Sequence, residues 1–209
     1  MSQREGSNPW RTSGFILLFI MACVPSQVSH MRLDMSVGYS VVYRITFWNQ
    51  EKPGTTKVRM AVHVTELTDL DYSLTANIKG DQEGTIFLLV SPGGKTMEAE
   101  VHGLPDPWED VASAGIVSPC APLPQEPVSP GQSWEVSLAN GRGTYTYKGT
   151  GLLDGKQGYI LEFNLSTTVI KDIRATGRIS VSPDNGVVQA GAGTITTAFG
   201  TYGYRMIRE

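Results

Sequence analysis

The chain has 209 residues, a formal net charge of −3, 18% charged and 40% hydrophobic side chains. That length suffices for one large domain or two small ones with a real core. So weak a charge excludes the concentrated basic surface that nucleic acid requires.

The N-terminus differs from the rest. Arg4 and Arg11 precede the apolar run Phe15–Ala22, which Cys23 follows. A basic flank, a short apolar stretch and a small residue before the break predict a secretory signal over residues 1–22. The run is shorter than the ~20 apolar residues of a permanent membrane helix. Ile20-Met21-Ala22-Cys23 resembles the lipobox of bacterial lipoproteins, although Met21 is an atypical occupant. The resemblance implies that Cys23 becomes the lipid-modified first residue of the mature chain; ordinary cleavage after Ala22 or Ser26 is the rival. Lipidation also explains the cysteine count. Two cysteines in an exported protein otherwise suggest a disulfide, whereas acylation of Cys23 leaves Cys120 as a lone thiol. The expected location is the extracytoplasmic face of a bacterial envelope membrane, with a soluble secreted or periplasmic form as the alternative. Residues 23–35 then form a tether.

From residue 36 onward the dominant period is two, which marks strands with one buried face. Tyr39, Val41, Tyr43, Ile45 and Phe47 share one face; Val58, Met60, Val62 and Val64 share another, as do Tyr72, Leu74, Ala76 and Ile78. Tyr159, Leu161, Phe163 and Leu165 repeat the pattern. The 23 glycines and the recurring Thr, Tyr and Val agree with β-structure. An all-β fold follows, with antiparallel curved sheet closed as a barrel or packed as a sandwich. Strands are expected near 37–48, 57–67, 72–79, 85–91 and 96–102, then 133–139, 143–151, 158–168, 173–182 and 187–192. A further strand is expected at 194–207.

Two turns are spelled alike. Ser91-Pro92-Gly93-Gly94 and Ser182-Pro183-Asp184-Asn185-Gly186 put proline where φ is near −65° and glycine where φ is positive. Gly38-x-Ser40 matches Gly131-x-Ser133, and Tyr72-x-Leu74 matches Tyr159-x-Leu161, in the same order. The matches predict duplication of a unit of about 90 residues; independent use of common β-turn residues is the alternative. The first copy, with a short helix, spans 36–115 and the second 131–209. Asp106-Pro107-Trp108-Glu109 reads as a helix start, with Asp106 as N-cap and Glu109 completing a capping box, and Gly115 as its stop. Residues 116–130 hold Pro119, Pro122, Pro124, Pro127 and Pro130, predicting a stiff extended connector outside the sheet.

The connector leads into Pro127-Val128-Ser129-Pro130-Gly131-Gln132-Ser133-Trp134. This stretch resembles an uncharacterised family of bacterial secreted proteins and lipoproteins with a Pro-rich connector and a P-V-x-x-G-x-S/T-W signature. The resemblance covers roughly residues 36–209 and implies export, an all-β fold and frequent lipid attachment. It brings no activity and no catalytic residues.

Motifs for chemistry are sparse. Gly131-Gln-Ser133-Trp-Glu135 lacks the second glycine of a nucleophile elbow and leads into a strand. His30, His63 and His102 have no HxH or HExxH spacing, so no metal and no cofactor are expected. The aromatic residues Tyr39, Tyr43, Phe47, Trp134, Tyr145, Tyr147, Phe163, Tyr202 and Tyr204 either line one concave apolar surface or fill the core. The expected function is a non-enzymatic envelope module for binding or assembly, with a protein partner or a hydrophobic ligand. The alternative is an envelope hydrolase whose site assembles only in three dimensions, with His102, Glu98 and Asp154 as first suspects.

Overall fold

In the computed structural model, the described residues are 28–68, 70–138, 141–167 and 172–209. The segment expected to be a signal and Cys23 lie outside them. Eleven strands form one antiparallel sheet: β1 (Ser40–Asn49), β2 (Thr55–Leu67), β3 (Tyr72–Gly80), β4 (Gly84–Val90), β5 (Thr96–His102), β6 (Ser133–Leu138), β7 (Gly141–Leu153), β8 (Lys156–Thr167), β9 (Ile173–Val181), β10 (Val188–Thr197) and β11 (Gly200–Arg208). Their order is β5-β4-β3-β2-β1-β11-β10-β9-β8-β7-β6. Every strand pairs with its sequence neighbour except β5 and β6, which are the two edges, while β11 returns to pair with β1. The all-β antiparallel expectation holds. The sheet is open rather than a closed barrel.

Alternation places Tyr43, Ile45, Met60, Val62, Leu74 and Ile78 on a buried inner face. Their neighbours Arg44, Arg59 and His63 are on the outer face, exposed. Register holds the inner rows together: Ile45 lies opposite Val58 on one side and Met206 on the other. One expected strand divides. The stretch 194–207 is the end of β10 and most of β11, with Ala198-Phe199 as the turn and Thr197 paired to Gly200. That turn lacks the Asn-Gly or Asp-Gly pairs that advertise a two-residue hairpin, so periodicity ran on through it.

The inner face is covered by chain that belongs to no strand. Residues 29–35 alternate, with Met31, Leu33 and Met35 buried in the core. The stretch expected as a tether is, from Ser29 onward, part of the packing. Helix α1 (Trp108–Ser113) buries Trp108, Val111 and Ala112. After it, Ile116, Val117, Cys120, Ala121 and Leu123 are buried in the same cluster. The connector forms no strand of the sheet, as expected, but its first half is buried on the inner face as part of the core. Proline makes this affordable, because a residue without an N–H leaves no donor unpaired when buried. Several of the remaining donors and acceptors are paired. Leu123 N–H donates to Gly93 O at 2.8 Å, and Val188 N–H donates to Pro119 O at 2.8 Å. Ser29 and Val128 exchange two backbone bonds of 2.8 and 3.1 Å.

The helix also departs from expectation at its start. Pro107 is the N-cap, no side chain caps the helix, and the Asp106–Pro107 peptide is cis. Trp108 N–H instead bonds Pro105 O at 3.1 Å, so backbone serves where a capping carboxylate was expected. The stop is as read. Gly115 has φ 71°. Its N–H bonds Ala112 O and that of Ile116 bonds Val111 O, at 2.9 and 3.1 Å, the paired bonds of a Schellman ending.

The like-spelled segments fall on strands five apart: Gly38 and Gly131 before β1 and β6, Tyr72 and Tyr159 in β3 and β8, and the Ser-Pro turns after β4 and β9. Both Ser-Pro turns close on the carbonyl of their serine, the second with one residue more than the first. Gly94 N–H donates to Ser91 O at 2.8 Å, and Gly186 N–H to Ser182 O at 3.0 Å. Both glycines have positive φ, 82° and 70°. Both also lie under the covering chain: an added Cβ would stand 2.0 Å from Ala121 O at Gly94, and 2.3 Å from Arg32 O at Gly186. Gly38 and Gly131 have φ of 86° and 91° but nothing within 4 Å of such a Cβ. Alanine at Gly38 or Gly131 should cost about 1 kcal/mol, from backbone strain alone. At Gly94 or Gly186 it should cost about 3 kcal/mol, since the covering chain must also shift. Urea denaturation midpoints of the four variants check this, and equal losses would contradict it.

Candidate ligand cavity

Cross-strand pairing puts the expected aromatic residues in rows on the inner face. One row runs Phe47, Tyr204, Gly193, Gly177, Phe163, Tyr145, Trp134 across seven strands. Adjacent rings touch: Trp134 stacks on Tyr145, and Tyr145 meets Phe163, each with centroids 6.0 Å apart. The two glycines make room for rings. A Cβ on Gly177 would come 2.9 Å from Phe163 Cζ, and one on Gly193 would come 3.0 Å from Tyr204 Cε1. These strand glycines lacked any turn context in the sequence, and their role depends on partners across the sheet.

Most of the row is core. Tyr43, Tyr145, Tyr147, Phe163 and Tyr204 are buried. Tyr43 donates its hydroxyl hydrogen to Val188 O at 2.8 Å, and the Tyr147 hydroxyl shares a 3.1 Å hydrogen bond with Ser29 Oγ. Tyr39 is half-buried and accepts from Asn185 Nδ2 at 3.3 Å. Trp134 is half-buried and donates to Pro122 O at 3.2 Å. The hydroxyl of Tyr204 is buried without a hydrogen-bond partner among the described residues.

Among the described residues, Phe47 and Tyr202 border one open space, and Trp134 borders another between the connector and β6. The covering chain stops short of the sheet end formed by the β1–β2, β3–β4 and β10–β11 turns, and a cavity of about 320 Å³ remains there. Phe47, Trp108, Val111 and Tyr202 form its apolar walls, with Asn49, Thr55, Thr56, Gln82 and Asp106 around them. Trp108 meets Phe47 edge to face, centroids 5.1 Å apart at 80°. Its Nε1–H donates to Gln82 Oε1 at 2.5 Å, which fixes the indole. Asn49 Oδ1 accepts from the amides of Glu51 and Lys52 at 2.8 and 3.1 Å, shaping the β1–β2 loop at the mouth. Tyr202 donates to Phe199 O at 3.2 Å. A volume near 300 Å³ with aromatic walls and a few polar groups matches a small-ligand site. Trp108 was legible only as part of a helix start. Its role in the cavity depends on α1 meeting β1, two segments distant in sequence.

The hydrolase suspects are not brought together. His102 pairs with Glu100 at 2.9 Å on β5, both exposed. Glu98 is exposed on the same strand. Asp154, in the β7–β8 turn, pairs with Arg205 of β11 at 2.6 Å. β5 and β11 stand five places apart in the sheet order. His63 bonds Ser40 at 2.7 Å. No cluster of three or more His, Cys, Asp or Glu suited to a metal occurs among the described residues.

Compared with family models, curated proteins and solved structures, the chain has no significant match.

Cys120 lies at the heart of the covering chain, bridged to Val187. Burial pushes its thiol from 9.0 up to about 12, so the neutral form dominates at physiological pH and the sulfur is a poor nucleophile. Burial also raises Tyr43, Tyr145 and Tyr204 above their usual 10.0. An acid whose folded pKa is raised stabilises the fold fully below its unfolded pKa and loses that contribution as pH climbs through the folded value. Stability should therefore fall progressively from pH 9.0 towards about 12. Urea titrations across that range check it. Native Cys120 should also resist a disulfide exchange reagent at pH 8 and react at once on unfolding.

Proposed function

We propose that the chain is a non-enzymatic binding module of the bacterial cell envelope, held to a membrane by an acyl group on Cys23. Its ligand site in this reading is the cavity beside Phe47, Trp108 and Tyr202. The observation that carries the reading is that cavity: aromatic side chains from β1, α1 and β11 converge on a part of the inner face that the covering chain leaves open. Export and anchoring are supported by the arginine-flanked apolar run and by Ile20-Met21-Ala22-Cys23.

Carriage of a long hydrophobic ligand along the aromatic trough is the less favoured variant. Such a ligand would have to displace Met31, Leu33, Ile116, Val117 and Leu123, all buried against the sheet, and each large apolar side chain so exposed costs about 2 kcal/mol. A small ligand at the open end displaces none of them.

Anchoring is tested by expressing the full chain and its Cys23→Ser variant in a bacterium with labelled palmitate. The native chain should carry label and sediment with membranes; the variant should lose both. Equal sedimentation of the two, with no label, would reject the anchor.

A further inference from the structure

We infer that the cavity takes an organic cation, a compact ammonium group with an apolar body. This rests on the cavity being the ligand site and names what enters it. The walls supply the first argument. Phe47 and Trp108 stand at 80° to one another, and Tyr202 lines the same space, so ring surfaces of more than one orientation border it. Aromatic faces carry negative charge density and attract cations, most strongly where water is excluded.

The polar edges of these residues are already committed to the protein. The Trp108 N–H is spent on Gln82 Oε1, and the Tyr202 hydroxyl hydrogen on Phe199 O. Both remaining amide hydrogens around Asn49 Oδ1 come from its own loop. The rings therefore meet an incoming group with their surfaces, while Asn49, Thr55, Thr56, Gln82 and Asp106 add polar groups beside them.

Charge supplies the second argument. Asp106 is the only lining residue with a formal charge, and neither lysine nor arginine lines the cavity. Some acidic groups on the sheet carry a counter-charge: Glu162 is held by Lys148 and Arg178, Glu209 by Arg59 and Arg44, Asp154 by Arg205. Among the described residues Asp106 forms no salt bridge, and a bound cation would supply its counter-charge. An anionic ligand would meet that carboxylate with no positive group to offset it.

The test uses three probes of one shape in calorimetric titrations of the full chain: choline, its neutral carbon analogue 3,3-dimethylbutan-1-ol, and the anion 3,3-dimethylbutanoate. Choline should bind about tenfold tighter than the alcohol, with the anion weakest. Asp106→Asn should remove several-fold of the choline affinity and leave the alcohol unchanged. Tyr202→Leu should weaken both. Alcohol binding as tight as choline, with Asp106→Asn silent, overturns the cation and leaves the cavity as a neutral site. Choline binding untouched by either substitution places it elsewhere and overturns the inference. Binding of none of the three by the native chain overturns the inference together with the ligand site itself.

Discussion

An eleven-stranded sheet with one apolar face and two unpaired edges cannot bury that face by closing on itself, so the chain must cover it with segments that are not strands. The cost of that solution is backbone: irregular chain laid on a hydrophobic surface loses water from its amides and carbonyls, and each group left unpaired there costs about 1–3 kcal/mol. The two Ser-Pro hairpins answer this need. Gly93 O takes the amide of Leu123, Asn185 O takes that of Asp34, and Val188, just beyond the second turn, donates to Pro119 O. Glycine at each tip lets the covering chain approach within backbone contact. The near-identical spelling of the two turns thus has a single physical use, whether it arose by duplication or by repeated selection of the same turn residues.

The outer face is organised by charge. Glu162 on β8 receives Arg178 Nε from β9 at 2.8 Å and Lys148 from β7 at 3.1 Å, and Lys148 and Arg178 hold its carboxyl below the usual range. At the chain end, Glu209 receives Arg59 of β2 at 2.7 Å and Arg44 of β1 at 3.4 Å. These pairs are largely solvated, so they contribute little stability. They do favour the observed register, since a slip of one residue would send each charge to the apolar side. The edges are treated differently: α1 packs against β5, whereas β6 is flanked by the proline segment around Pro122 and Pro127.

Strands and their inner residues were legible because burial on one face writes a period of two directly into the sequence. Tyr43, Met60, Leu74 and Leu161 all fell on the side that periodicity assigned. The covering chain was not, because its residues obey no period once they leave the sheet. Proline was read as a reason to stay outside, yet its missing N–H is also what makes burial tolerable. Met31, Leu33 and Met35 do alternate, but in so short a run that nothing distinguishes a docked segment from a tether. Of the nine aromatic candidates, the sequence placed all on one face but could not separate core from cavity. That division depends on where the covering chain ends, which is fixed by contacts between residues some 60 to 160 positions apart, such as Phe47 with Trp108 and with Tyr204.

The two ends of the molecule are consequently unlike. At the end carrying the β4–β5 and β9–β10 turns, the covering chain is tied down by backbone bonds to both hairpins and to Ser29. At the other end the chain leaves β5, turns at Asp106-Pro107 and enters α1, and its hold on the sheet there includes one ring contact and one side-chain hydrogen bond, Trp108 with Phe47 and with Gln82. The helix there is itself buried through Trp108, Val111 and Ala112, so one end is held mainly by backbone bonds and the other mainly by apolar packing. A small ligand beside Trp108 meets space that is already open, so Cys120, Tyr43 and the clasped half of the core keep their packing.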